Sequence, residues 1–306
     1  MINFFCIGRN NVDIYLQQNK VYPGGNCNNV AAHLARFGHK AALMTVVGDD
    51  ALGHLQLESL ERLGVDVAPS RTVKGQTAWC SISHEDGNRK FVRSDLSIFE
   101  DNLISYKDVR KVLEQDYDAI YTCVCRGSYF EDGVFEELGN FGIPVCCDFA
   151  DQWTAEEVYK ACSYIQYPYL SCEEYSLEET MQILEGCVRH GASVALGTRG
   201  MQGSVAYNGR EFYQQEAYPL PVVDTLGAGD SFLARFSMCY FEGRKQLELI
   251  QFEDEAGGNR IMEEAEDMII RYSLRMAAVY ATYVCGYYGG FGNGIDFDPS
   301  MIKEDL

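Results

Sequence analysis

Short apolar runs that alternate with amphipathic helical patterns restrict the fold of this chain more than any other feature. "FFCIG" near residue 4, "AALMTVVG" near 42, "YDAIYTCVC" near 120, "IPVCCDF" near 146 and "SVALGT" near 194 read as buried strands. Between such runs, "NNVAAHLARFG" sets Val30, Ala31, Leu34 and Phe37 on one helical face and stops at Gly38. "LGHLQLESLERLG" repeats the pattern with Leu52, Leu55, Leu60 and Leu63, ending at Gly64. Strands separated by helices of this size predict an α/β fold, with a mostly parallel central sheet covered by helices on both faces. The 306 residues, 47% of them hydrophobic, suffice for one such domain with a small appendage.

Two regions break the rhythm. "QTAWCSISHEDGNRKFVRS", residues 76 to 94, carries an Asp86-Gly87 turn signal between two strand-like runs. Together with "VDIYLQQNKVY" it predicts a small antiparallel sheet from segments about 12–22 and 66–98, serving as a lid or an oligomer surface. The acidic stretch 247–268, with "EDEAGGNRIMEEAED", reads as a solvated insertion between two late helices.

A formal charge of −20 argues against nucleic acid as a partner, because binding its backbone leans on Lys and Arg. It leaves nucleotides open, since a small anion can be held by backbone N–H groups and a metal ion. The twelve cysteines sit largely in apolar runs and show no paired Cys-x-x-Cys spacing, which points to reduced thiols in a cytoplasmic protein rather than to zinc or disulfides. No run reaches the roughly 18 apolar residues of a membrane span.

"DTLGAGDSF", residues 224 to 232, places two carboxylates and two glycines where a strand near Val222 gives way to a helix from about Gly227. In a parallel sheet, ligands bind at the carboxyl ends of strands, where such turns open. Glycines let the backbone crowd an anion, and the first helical amides point towards it. Asp230 would then serve as a base for an alcohol attacking a phosphate. A helix start capped by Asp224 or Thr225 fits the same residues equally well.

Asp224-Thr225-x-Gly227-Ala228-Gly229-Asp230 resembles the signature of the ribokinase-like, or PfkB, carbohydrate kinases. "YPGGNCNNVAAHLARFG", residues 22 to 38, is similar to that family's N-terminal Gly-Gly-Asn signature, and "TRGMQG", residues 198 to 203, to its nucleotide turn. The matches keep the family's order, and they cover nearly the whole chain as one domain, 1–306. The resemblance implies Asp230 as catalytic base, with Gly227, Ala228 and Gly229 as an anion hole. It implies Thr198, Gly200, Gly203 and Thr225 at ATP, and Asp13, Gly25, Asn26 and Asn29 on the sugar hydroxyls. ATP and Mg2+ are the implied cofactors; a monovalent cation and a homodimer through the lid are also compatible.

Departures accompany it. "SCEE" puts Ser171 where the family often has Asn, leaving Glu174 as the candidate for Mg2+ through water. Arg235 stands where the family usually has a small Gly. No Gly-x-x-x-x-Gly-Lys-Ser/Thr is present, and no Gly-x-Gly-x-x-Gly follows the first strand, so Walker-type and dinucleotide readings lack support.

Within the family, "IGRNNVDIYLQQNKVYPGGNCNNVA" and "CDFADQW" are similar to the fructoselysine 6-kinases. That implies a fructosamine whose 6-hydroxyl receives the γ-phosphoryl group of ATP. Asp148 or Asp151 would meet its amine, and Arg89 or Arg93 its carboxylate. The rivals are a plain sugar (fructose, ribose or a keto-deoxy sugar acid) as acceptor, and a non-catalytic sugar- or nucleotide-binding regulator. His33 and His54, inside predicted helices, read as structural or surface residues.

Overall fold

A computed structural model describes the chain except residues 86–87, 125–129, 132, 220, 251–254 and 304–306, and except the side chains of 84–85, 88–90 and 255–259. The first elements are β1 (Asn3–Ile7), β2 (Asn11–Tyr15), β3 (Lys20–Gly24), α1 (Asn26–Arg36), β4 (Lys40–Met44), β5 (Val46–Gly48) and α2 (Ala51–Glu61). Next come β6 (Arg71–Val73), β7 (Trp79–Glu85), β8 (Asn88–Asp95), α3 (Ser97–Asp101), α4 (Tyr106–Val112), β9 (Ala119–Cys123), α5 (Val134–Leu138) and β10 (Val145–Asp148). The remainder holds α6 (Ala155–Ala161), β11 (Tyr167–Ser171), α7 (Leu177–Arg189), β12 (Ala195–Thr198), β13 (Ser204–Tyr207), β14 (Phe212–Gln215), α8 (Ala228–Leu247), α9 (Glu255–Val284) and β15 (Ile295–Asp296).

Eight strands form the main sheet in the order β14-β13-β12-β11-β10-β9-β1-β4. From β4 to β12 neighbours run parallel, and β13 and β14 add an antiparallel edge. Both faces are covered, as the alternation of runs predicts. Cys146 and Cys147, adjacent in β10, point to opposite faces. The first joins the apolar cluster under α1, α8 and α9, the second the cluster under α4 to α7. Val30, Ala31 and Leu34 of α1 are buried as expected, whereas Phe37 lies at the helix end and is 40% exposed.

Two strand expectations change. "AALMTVVG" is two strands, because β1 stops pairing at Met44 and β5 leaves to pair with β6 in a separate ribbon. The break is held by Asn10, whose Nδ2 donates to Thr45 Oγ1 at 2.8 Å and to Val46 O at 2.6 Å. The run "YPYLS" forms β11, a central strand that Pro168 conceals from a propensity reading.

The smaller sheet is five-stranded, β15-β3-β2-β7-β8, and both expected segments contribute to it. Three of its pairings are antiparallel; β2 and β7 run parallel, since the chain traverses α1, β4, β5 and α2 between them. The acidic stretch is not a solvated loop throughout: from Glu255 it is the first half of α9. Two of its carboxylates, Glu266 and Asp267, are anchored by arginines from other elements. Arg210 meets Glu266 at 3.1 Å and Asp267 at 2.8 Å, and Arg244 meets Glu266 at 2.8 Å. Among the described residues no helix is long and apolar enough to cross a membrane.

Candidate active site

The two aspartates of "DTLGAGDSF" have separate structural positions. Asp224 is buried and precedes the helix; its Oδ1 accepts from Leu226 N at 3.0 Å, and its Oδ2 accepts from Gly289 N at 3.0 Å and from the Tyr15 hydroxyl. Asp224 thus ties the turn to β2 of the smaller sheet and to the glycine-rich segment after α9. Gly227 follows with φ +74°, and a Cβ there would stand 2.5 Å from Gly290 Cα, so glycine is required both by conformation and by space. Helix α8 begins at Ala228; a Cβ on Gly229 would meet nothing within 4 Å, so the first turn borders open space on that side. The Ala228 amide donates to Thr225 O at 3.2 Å; those of Gly229 and Asp230 follow in the first turn, where a helix offers no i−4 carbonyl and presents the positive end of its dipole.

Asp230 accepts from Asn29 Nδ2 at 2.6 Å and forms part of the wall of a cleft of about 250 Å3. Asp13, Gly25, Asn26 and Asn29 line the same cleft, so four residues from the first helix and its preceding hairpin meet a carboxylate from far along the chain. Each is fixed locally. Asp13 accepts from Asn11 Nδ2 at 2.6 Å and from Cys80 Sγ at 2.9 Å. Gly25 has φ +100° and leaves no room for a side chain, since its Cβ would meet Asn10 Cα at 2.7 Å. Asn26 Nδ2 donates to Asp148 Oδ2 at 3.2 Å, and burial pushes the Asp148 carboxyl up against the lowering pull of the Ala150 amide and Asn26.

The cleft invites a polyol for a physical reason. Asn10 and Asn29 line it, and the Oδ1 atom of each is buried without a hydrogen-bond partner. Such an acceptor costs roughly 1–3 kcal/mol, recoverable when a ligand hydroxyl donates to it. Arg9 and the carboxylates of Asp13 and Asp230 supply charge of both signs.

The other expected residues lie elsewhere. Thr198 ends β12, and Gly200 (φ +53°) and Gly203 (φ +90°) shape the turn into β13. Thr225 is exposed beside the start of α8, where its carbonyl accepts from Ala228 N at 3.2 Å. Glu174 is exposed in the turn after β11, and Ser171 ends that strand. Arg89 lies on β8 opposite His84, its side chain outside the described residues; Arg93 is exposed on the same strand. Arg235 does not enter the cleft: its guanidinium stacks 4.1 Å over the Phe37 ring, between α8 and the end of α1.

The profile of the pfkB family carbohydrate kinases matches residues 2–114 and 169–259. The chain belongs to this family. A fructoselysine 6-kinase of Escherichia coli (strain K12) is 33% identical over 231 residues, 75% of this chain and 86% of that protein. The fructosamine kinase FrlD of Bacillus subtilis (strain 168) is 29% identical over 300 residues, 97% of this chain and 95% of that protein. Among solved structures, a putative ribokinase II of E. coli in complex with ATP and Mg2+ superposes with a TM-score of 0.72 at 18% identity, covering 95% of each chain. The protein is therefore an ATP-dependent carbohydrate kinase of the PfkB family, with the ribokinase-like fold.

Several residues of this candidate site escaped the sequence reading. Asn10, Phe91 and Leu96 complete the cleft wall, but a lone Asn after a strand and two apolar residues near a hairpin carry no local signal. Gly289 and Gly290 press on Tyr22, Asn29 and Gly227. Their signal, the cluster "GGFGNG", was present at residues 289–294.

Proposed function

We propose that this kinase transfers the γ-phosphoryl group of ATP to the 6-hydroxyl of a fructosamine such as fructoselysine. The observation that carries the reading is Asp230, in the first turn of α8, lining a polar cleft and fixed there by Asn29 at 2.6 Å. The likeness to a fructoselysine 6-kinase and a fructosamine kinase supports the choice of acceptor.

Asp230 takes the proton of the primary alcohol as its oxygen attacks phosphorus, so no covalent enzyme intermediate forms. The amides at Gly227, Ala228 and Gly229 stabilise charge on the transferring group. Asp13, Gly25, Asn26 and Asn29 hold the sugar, with Asn10 as a further acceptor. Thr198, Gly200, Gly203 and Thr225 border the nucleotide. Among the described residues no three His, Cys, Asp or Glu side chains converge on a metal position. Mg2+ is commonly carried by nucleotide phosphates and water with few protein ligands. Glu174 would reach it through water, and the ion would neutralise phosphate charge. Asp148, bound to Asn26 in the wall, is the group for the substrate amine; Arg93, beside Ser94 of the wall, and Arg89 are those for its carboxylate.

An acceptor panel assayed by ADP release tests the proposal. Fructoselysine should exceed free fructose in kcat/KM by about 10²-fold, the gain expected from pairing a charged group in a built site. Higher kcat/KM on fructose, ribose or a keto-deoxy sugar acid would overturn the fructosamine assignment while leaving the kinase.

A further inference from the structure

His33 lies one turn beyond Asn29 on the same face of α1 and is buried. Its Nε2 stands 3.1 Å from Gly290 O, and its Nδ1 stands 2.9 Å from the Tyr280 hydroxyl. A carbonyl can only accept, so Nε2 carries the hydrogen. Burial, reinforced by Arg36, drives the ring's pKa down to about 3, leaving Nδ1 bare to accept from Tyr280. Gly290, so held, touches two parts of the site at once. A Cβ on Gly227 would meet its Cα at 2.5 Å, and a Cβ on Gly290 would meet the Asn29 amide at 2.5 Å. From the next turn of α1, Arg36 donates to Phe291 O and, at 3.1 Å, to the Tyr287 hydroxyl.

We propose that His33 is a positioning residue for phosphoryl transfer. Through Gly290 it sets the spacing between α1 and the opening of α8, and so the place where the Gly227–Gly229 amides and the Asp230 carboxylate meet the reacting groups. The inference rests on Asp230 being the base. Neither His33 nor Gly290 lines the cleft, so substrate affinity is left to other residues and the effect falls on the chemical step. A misplacement of about 1 Å at a reacting centre can cost about 10²-fold in rate.

The test compares H33Q with H33N, measuring kcat, both KM values and the thermal midpoint. Gln is long enough to donate to Gly290 O; Asn is one methylene shorter and falls short of it. H33N should lose about 10- to 100-fold in kcat with both KM values nearly unchanged, and H33Q should recover most of that loss. Equal kcat in the two folded variants, or a loss confined to KM or to the thermal midpoint, overturns the role of His33. D230N separates the two claims: full turnover in D230N defeats the base assignment, whatever the His33 variants do.

Discussion

Asn29 on the first helix donates to Asp230 on α8 across 201 residues of sequence, at 2.6 Å, and this bond joins the first turn of α1 to the first turn of α8. Asn29 therefore acts twice: Nδ2 orients the carboxylate, while Oδ1 remains a buried acceptor beside the cleft.

D230N keeps the shape of the side chain and removes its ability to take a proton. ADP release should fall by about 10²–10⁴-fold, the usual share of a general base. Nucleotide binding, followed by calorimetry with a non-hydrolysable analogue, should persist. Turnover at the wild-type rate would end the assignment.

N29L removes the donor and the acceptor together. We expect kcat to fall and the acceptor KM to rise, because orientation of Asp230 and a sugar contact are lost at once. A change in the ATP KM alone would contradict the geometry.

D224A strips the shared acceptor from Tyr15, Gly289 and Leu226. A charged acceptor with several donors is worth about 2–4 kcal/mol when removed, which urea unfolding should register. D224N, which keeps the shape, should lose less.

G25A forces a Cβ to a φ of +100°, within 2.7 Å of Asn10 Cα. The conformation alone costs about 1–2 kcal/mol. The acceptor KM should rise about tenfold or more while the ATP KM holds. An unaltered acceptor KM would show that the 24–26 turn does not shape the sugar site.

Stability should depend on pH through His33. Its pKa is about 3 in the fold and about 6.5 in an unfolded chain, so the unfolded state binds the extra proton between those values. Stability is therefore complete above about pH 6.5 and is lost progressively as pH falls towards 3. Asp148, raised by burial, tilts the other way, so the comparison of wild type with H33Q isolates the histidine. H33Q should flatten the curve over that window; an unchanged slope would show that the ring is not neutralised by burial.

The layered α/β architecture was legible because strands buried on both faces read as continuous apolar runs, as in "IPVCCDF" and "SVALGT". The turns around the candidate site were legible where backbone conformation dictates residue type: Gly25, Gly203 and Gly227 all take positive φ. What stayed hidden depends on tertiary contact. Asp224 looked like a helix cap, yet its partners Tyr15 and Gly289 lie 209 and 65 residues away. Helix α9 was obscured because its early acidic residues find Arg210 and Arg244 only once the chain is folded. Arg235 stands where the family usually has a small Gly, and only the position of Phe37 shows where its side chain goes. Nothing in the spacing of "NNVAAHLARFG" separates a buried His33 from a surface one.

Strand β15 closes one edge of the five-stranded sheet by pairing Ile295 with Val21 and Asp296 with Lys20. Phe297 and Ile302, just after it, pack with Val12, Ile14 and Trp79. During synthesis the N-terminal hairpin thus leaves the ribosome long before the strand that flanks it. Its edge stays open to misplaced partners until residues 295 to 302 have been translated, and truncation ahead of residue 295 should leave it permanently so.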